Sequence, residues 1–151
     1  MAADPGVPEG FDLETAVTKT LMILKKYEGH EKCTKKLELA EKLPQMGSFD
    51  DEAIALLGGG WVEALAIAVY CALKYQHDFR KALQTAVNHN GDSDSIGAIT
   101  GNILGVYLGL NRIPVEWIEK VELKDVLIQI ADDLLIDYDE GNIDHQNYPG
   151  Y

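Results

Sequence analysis

Asn88-His89-Asn90-Gly91-Asp92-Ser93-Asp94-Ser95-Ile96-Gly97-Ala98-Ile99-Thr100-Gly101-Asn102-Ile103-Leu104-Gly105 joins an acidic, hydroxyl-rich turn to an almost wholly apolar run. Positions 92 to 95 carry two carboxylates and two hydroxyls. An acidic turn at the start of a helix suits the macrodipole and offers acceptors for its free N–H groups. The same oxygens on Asp92, Asp94 and Ser95 also suit a hard divalent cation, Mg²⁺ or Mn²⁺. Glycine recurs at 97, 101, 105 and 109, although each interior glycine costs a helix about 1 kcal/mol relative to alanine. Close approach of a neighbouring helix along a groove free of side chains would offset that loss. The run is therefore expected to be the central buried rod of a helical domain. From Ile96 to Leu110, with Thr100 and Asn102 inside it, it is shorter than the roughly 20 apolar residues a bilayer requires, so no membrane span is expected.

The flanking sequence carries helical periods throughout. Asp12 reads as the N-cap of a helix over about 12–27. A charged helix over 31–43, closed by Pro44, presents Leu37, Ala40 and Leu43 as a narrow apolar stripe. Ser48 with Asp51 reads as a capping box for a short helix that Gly58-Gly59-Gly60 stops after Leu57. The alanine-rich stretch 61–75 is apolar on every face, the pattern of a buried helix. Asp78 caps the next helix, to about Val87, with Phe79, Ala82, Leu83 and Val87 on one face. Pro114 opens a short helix with Trp117 and Ile118, and a last helix over about 123–137 is expected to bury Val126, Leu127, Ile130, Leu134 and Leu135. No segment alternates with period two, so the fold class is all-α. Residues 12–138 form the expected domain, with an irregular lead-in at 1–11 and a polar tail at 139–151.

A chain of 151 residues, 46% hydrophobic, has enough apolar mass for one core. Its net charge of −12 excludes binding to nucleic acid through the phosphate backbone, which needs clustered Lys and Arg. Cys33 and Cys71 lack metal or redox spacing and read as reduced thiols of a cytoplasmic protein; no secretory signal is visible at the N-terminus. Calcium binding by an EF-hand starting at Asp92 fails on spacing, since Ile96 and Ile103 fall where oxygen ligands are required. His89 reads as a surface or supporting residue, because a hard-oxygen site has little use for imidazole.

The whole block from Asn88 to Gly105, with Leu57-Gly58-Gly59-Gly60-Trp61-Val62 and Ala64-Leu65-Ala66-Ile67-Ala68-Val69-Tyr70 upstream and Ile113-Pro114 and Trp117 downstream, resembles the C-terminal half of the ADP-ribosylglycohydrolase family. That resemblance covers about residues 12–137. It implies a compact, orthogonal all-α fold and a dinuclear Mg²⁺ or Mn²⁺ centre that binds the ribose of an ADP-ribosyl group and helps water cleave its glycosidic bond. On this sequence it implies Asp92, Asp94 and Ser95 as metal ligands, and Asn88, Gly91 and Trp61 as residues that line the ligand pocket. The family's further acids, carried by its N-terminal half, have no counterpart in this sequence, and no catalytic residue is assigned. Asp50 and Asp51 read as the cap of a short helix. The expected function is Mg²⁺-dependent removal of ADP-ribose from a modified protein side chain or small molecule. The expected partners are the ADP-ribosylated substrate and either a second copy or a separately encoded N-terminal half. The alternative is a catalytically silent remnant that binds ADP-ribose or metal, or serves as an interaction module.

Overall fold

A computed structural model describes residues 12–58 and 61–134. Every regular element among the described residues is helical, as the missing period-two pattern requires. The chain divides into two units, Met1–Pro114 and Val115–Tyr151.

In the first unit, α1 (Leu13–Leu24) starts where Asp12 accepts from the Thr15 N–H at 2.6 Å. Next comes α2 (Glu31–Lys42), and Pro44 lies inside a single 3₁₀ turn, Leu43–Met46, that continues it. The short α3 (Asp50–Leu57) ends at Gly58, whose φ of 91° lies where a side chain would be strained. Then α4 (Trp61–Lys74), α5 (Phe79–Val87) and α6 (Ser93–Leu108) complete the unit. Asp78 caps α5 by accepting from the Lys81 N–H at 2.9 Å.

The centre of this unit is α4, not the glycine-bearing α6. Residues 66–72 of α4 are each at most 7% exposed, and the helix packs against α2, α3, α5 and α6. Its four alanines from 64 to 72 are buried; small side chains let neighbours approach on every side. Around it lie Leu37 and Ala40 of α2 with Leu43, then Ala53 and Leu57 of α3, Ala82 and Ala86 of α5, and Ile96 and Leu104 of α6. By contrast α6 buries one face only. Ala98 and Asn102 are exposed and Val106 is 85% exposed. Its glycines differ accordingly. A Cβ at Gly97 would meet Val87 Cγ1 at 2.8 Å, and one at Gly101 would sit an ordinary 3.8 Å from Leu83 Cδ1. Nothing stands within 4 Å of such an atom at Gly105 or Gly109. Because α5 ends at Val87, close approach is limited to the first turns of α6.

The second unit contains α7 (Val115–Ile118), directly after Pro114, and α8 (Lys124–Asp133). Val126, Leu127, Ile130 and Leu134 are 48%, 53%, 41% and 81% exposed, which overturns the expectation that they are buried; Leu135 lies outside the described residues. A helical period in apolar residues marks a face able to be covered, not the presence of its cover.

Candidate active site

The turn between α5 and α6 is built by its own polar groups. Asn88 leaves helical geometry after its N–H donates to the Gln84 carbonyl at 3.1 Å. The Gly91 N–H donates to His89 Nδ1 at 2.9 Å, which leaves the imidazole proton on Nε2 if the ring is neutral. That Nε2 is enclosed and makes no hydrogen bond with any described residue. Ser93 Oγ donates to the carbonyls of His89 and Gly91 at 3.2 and 3.3 Å.

Asp92 is the N-cap residue of α6, yet its side chain makes no capping bond. Its contact is with Asp94, whose carboxyl lies below the usual range because of the hydrogen bond with Asp92, then the Ser95 N–H and its own N–H. Two adjacent carboxyl groups and a neighbouring hydroxyl are hard oxygen donors of the kind that hold Mg²⁺ or Mn²⁺. Among the described residues, no group of three or more His, Cys, Asp or Glu gathers around a common point. The donor types fit such a cation in kind, but the turn by itself would give only a few of the oxygens that a complete shell needs.

Beside this turn lies a cavity of about 550 Å³. Asn88 to Asp92 form one side; Asp51, Ile54, Ala55 and Gly58 enter from α3, Ala64 and Ile67 from α4, and Ile96 from α6. Of the residues expected from the sequence, the cavity gathers Asn88, Gly91 and Asp92. Asp94 and Ser95 are not among its lining residues, and the Trp61 side chain lies outside the described residues.

The α3 wall is fastened at both ends by lysines from neighbouring helices. Asp50 Oδ1 accepts from Tyr70 at 2.8 Å and from Lys74 Nζ at 2.9 Å, while Oδ2 accepts from Tyr75 at 2.8 Å. Lys74 also donates to the Ser48 carbonyl at 2.9 Å. Burial works to raise the Asp50 carboxyl, but the bonds from Lys74, Tyr75 and Tyr70 outweigh it and hold the group below its ordinary range. Burial and the bond to Asp50 push Tyr75 up to about 12 and raise Tyr70 as well. At the other end, Lys36 Nζ donates to the carbonyls of Leu56 and Leu57.

The capping box expected at Ser48 and Asp51 is therefore absent: Phe49 is the N-cap residue, without a side-chain bond. Asp50 fastens the helix and Asp51 lines the cavity. Sequence reasoning also passed over His89 and Ile54 as cavity residues. The available signal was the closeness of His89 to the acidic turn.

The ADP-ribosylglycohydrolase family profile matches residues 3–143. The chain belongs to the ADP-ribosylglycohydrolase family. It is 27% identical to human ADP-ribosylhydrolase ARH3 over 61% of this chain and 30% of that protein. Similarity to the ADP-ribosylarginine hydrolase Tri1 of Pseudomonas putida is 31% over 50% of this chain and 20% of the relative. With the ADP-ribosyl-[dinitrogen reductase] glycohydrolase of Rhodospirillum rubrum it shares 37% identity over 30% of this chain and 16% of that enzyme. The match thus spans less than a third of the length of each of these relatives. No solved structure gives a significant match. All-α architecture is what the family leads one to expect, and no described helix is long and apolar enough to cross a membrane.

Proposed function

We propose that this chain supplies one side of an ADP-ribosylhydrolase site, in which a divalent cation held by Asp92, Asp94 and Ser95 helps to remove ADP-ribose from a modified side chain or small molecule. The observation that carries the reading is a single cavity lined by Asn88, Gly91 and Asp92 in a chain of this family. A bound Mg²⁺ or Mn²⁺ would supply positive charge against the oxygens of the ribose and the bond being broken. The chain's own groups bind and orient. The Asn88 amide can donate to and accept from a sugar hydroxyl. Ile54, Ala64, Ile67 and Ile96 give the cavity an apolar lining that limits competing water. The depressed Asp94 carboxyl stays ionised at neutral pH, as a cation ligand must.

Arginine-linked ADP-ribose is the first substrate to try. Incubation of the chain with Mg²⁺ and arginine-ADP-ribosylated protein is expected to release ADP-ribose, alone or after addition of a chain carrying the family's N-terminal acids. Absence of release under both conditions overturns the enzymatic reading. Substituting Asp92 and Asp94 by Ala is expected to abolish any heat of Mg²⁺ binding while the circular dichroism stays helical.

Binding without turnover is the second reading, favoured by the small donor set of the turn. Calorimetry with Mg²⁺ and ADP-ribose separates the two. The exposed apolar residues of α6, Val106 above all, support pairing with a second copy or with a separate N-terminal half. Light scattering over a wide concentration range would give a constant monomer mass if the chain does not self-associate.

A further inference from the structure

The turn that carries Asp92 is held through Gly91 on both sides. Asp92 has φ −72° and ψ 72°, and the Ser93 N–H donates back to the Gly91 carbonyl at 2.9 Å, so Asp92 is the middle residue of an inverse γ-turn. The Ser93 hydroxyl donates to the same carbonyl at 3.3 Å. On the other side, the Gly91 N–H is taken by His89 Nδ1 at 2.9 Å. An acceptor two residues before a turn N–H is ordinarily the side-chain oxygen of Asn or Asp; here an imidazole nitrogen stands in its place. The ring also lies close against the glycine, since a Cβ added to Gly91 would meet Nδ1 and Cε1 at 3.0 Å each. The opposite nitrogen, Nε2, is enclosed without a hydrogen bond to any described residue, an arrangement that costs stability and so is not what holds the ring. Among the described residues, the bond from Gly91 is what fixes how the imidazole is turned. The Asp92 side chain makes no capping bond and takes no part in closing the turn. A turn ordered in this way before a ligand arrives loses less freedom on binding.

We propose that His89 is a positioning residue of the cation site: by accepting from the Gly91 N–H, its Nδ1 presets the turn in which Asp92 offers its carboxylate to a divalent cation. This inference rests on the ADP-ribosylhydrolase reading given above. The test is titration of the chain with Mn²⁺ alone, bound metal being read from the loss of the free ion's electron paramagnetic resonance signal. His89→Ala is expected to bind Mn²⁺ about fivefold to tenfold more weakly, the worth of one backbone hydrogen bond. His89→Asn, whose Oδ1 falls near the place of Nδ1 and can accept the same N–H, is expected to stay within about twofold of the unaltered chain. His89→Gln puts its amide one bond further out, at the far edge of the ring's place, and is expected to be as weak as His89→Ala. In the metal-free chain, nitrogen NMR is expected to find the proton of the neutral ring on Nε2. Unchanged affinity in His89→Ala, or equal weakening in His89→Asn and His89→Gln, overturns the role of His89 and leaves the site reading standing. So does a neutral ring protonated on Nδ1. If the unaltered chain takes up no Mn²⁺, the site reading fails and this inference falls with it. Circular dichroism checks that the variants fold, and should His89→Ala not fold, the contrast between His89→Asn and His89→Gln decides alone.

Discussion

Asp50 is the residue whose removal should be felt furthest. Its carboxylate accepts three hydrogen bonds from α4 and the residue after it, and it and Lys74 are only 25% and 21% exposed. Asp50→Asn leaves a largely covered ammonium without its counter-charge. A loss of about 2–3 kcal/mol is expected, read as a lower urea midpoint at unchanged slope. The pH dependence has two limbs. A carboxyl held below its ordinary value of 3.8 stabilises above that value, and the stability is lost as pH falls through the native value. Tyr75 is an acid with a raised pKa, so its contribution is complete below 10.0 and disappears as pH rises towards about 12. Urea midpoints should therefore fall at both extremes, and both limbs should flatten in Asp50→Asn. None of this was legible in the chain itself. A pair of aspartates two residues after a serine reads as a local cap, while the partners of Asp50 lie 20 to 25 positions away. The acidic turn was legible because Asp92, Ser93, Asp94 and Ser95 are contiguous.

The glycines of α6 show how position along one element changes the sign of a substitution. Gly97→Ala gains about 1 kcal/mol of helix propensity. It also drives a Cβ to 2.8 Å from Val87 Cγ1, on a branched side chain that cannot swing away, and overpacking of that kind costs about 1–3 kcal/mol. A net loss is expected. Gly105→Ala meets nothing within 4 Å and should stabilise the chain by about 1 kcal/mol. Thermal unfolding of the two variants measures the contrast; equal shifts would mean that α5 does not press on α6. The helices themselves were legible wherever a capping side chain marks the start, as Asp12 and Asp78 do. Which helix is central was not. Alanine content and glycine spacing both announce close packing, but only the layout of neighbours decides that α4 is surrounded while α6 has an open side.

Across the whole chain, the net charge is −12, and no Lys or Arg stands among the described residues that line the cavity, so the field near the turn is negative. The two units also differ in content. The first contains the buried core, whereas α7 and α8 bury none of their residues. Each unit holds one of the two tryptophans, Trp61 in α4 and Trp117 in α7. Replacing either with phenylalanine leaves a single indole whose fluorescence reports on one side of Pro114. The Trp61→Phe chain is expected to lose its signal change at lower urea than the Trp117→Phe chain, because no residue of α7 or α8 is buried. Coincident curves would make the chain one cooperative block; separated curves would place a seam in its unfolding at Pro114.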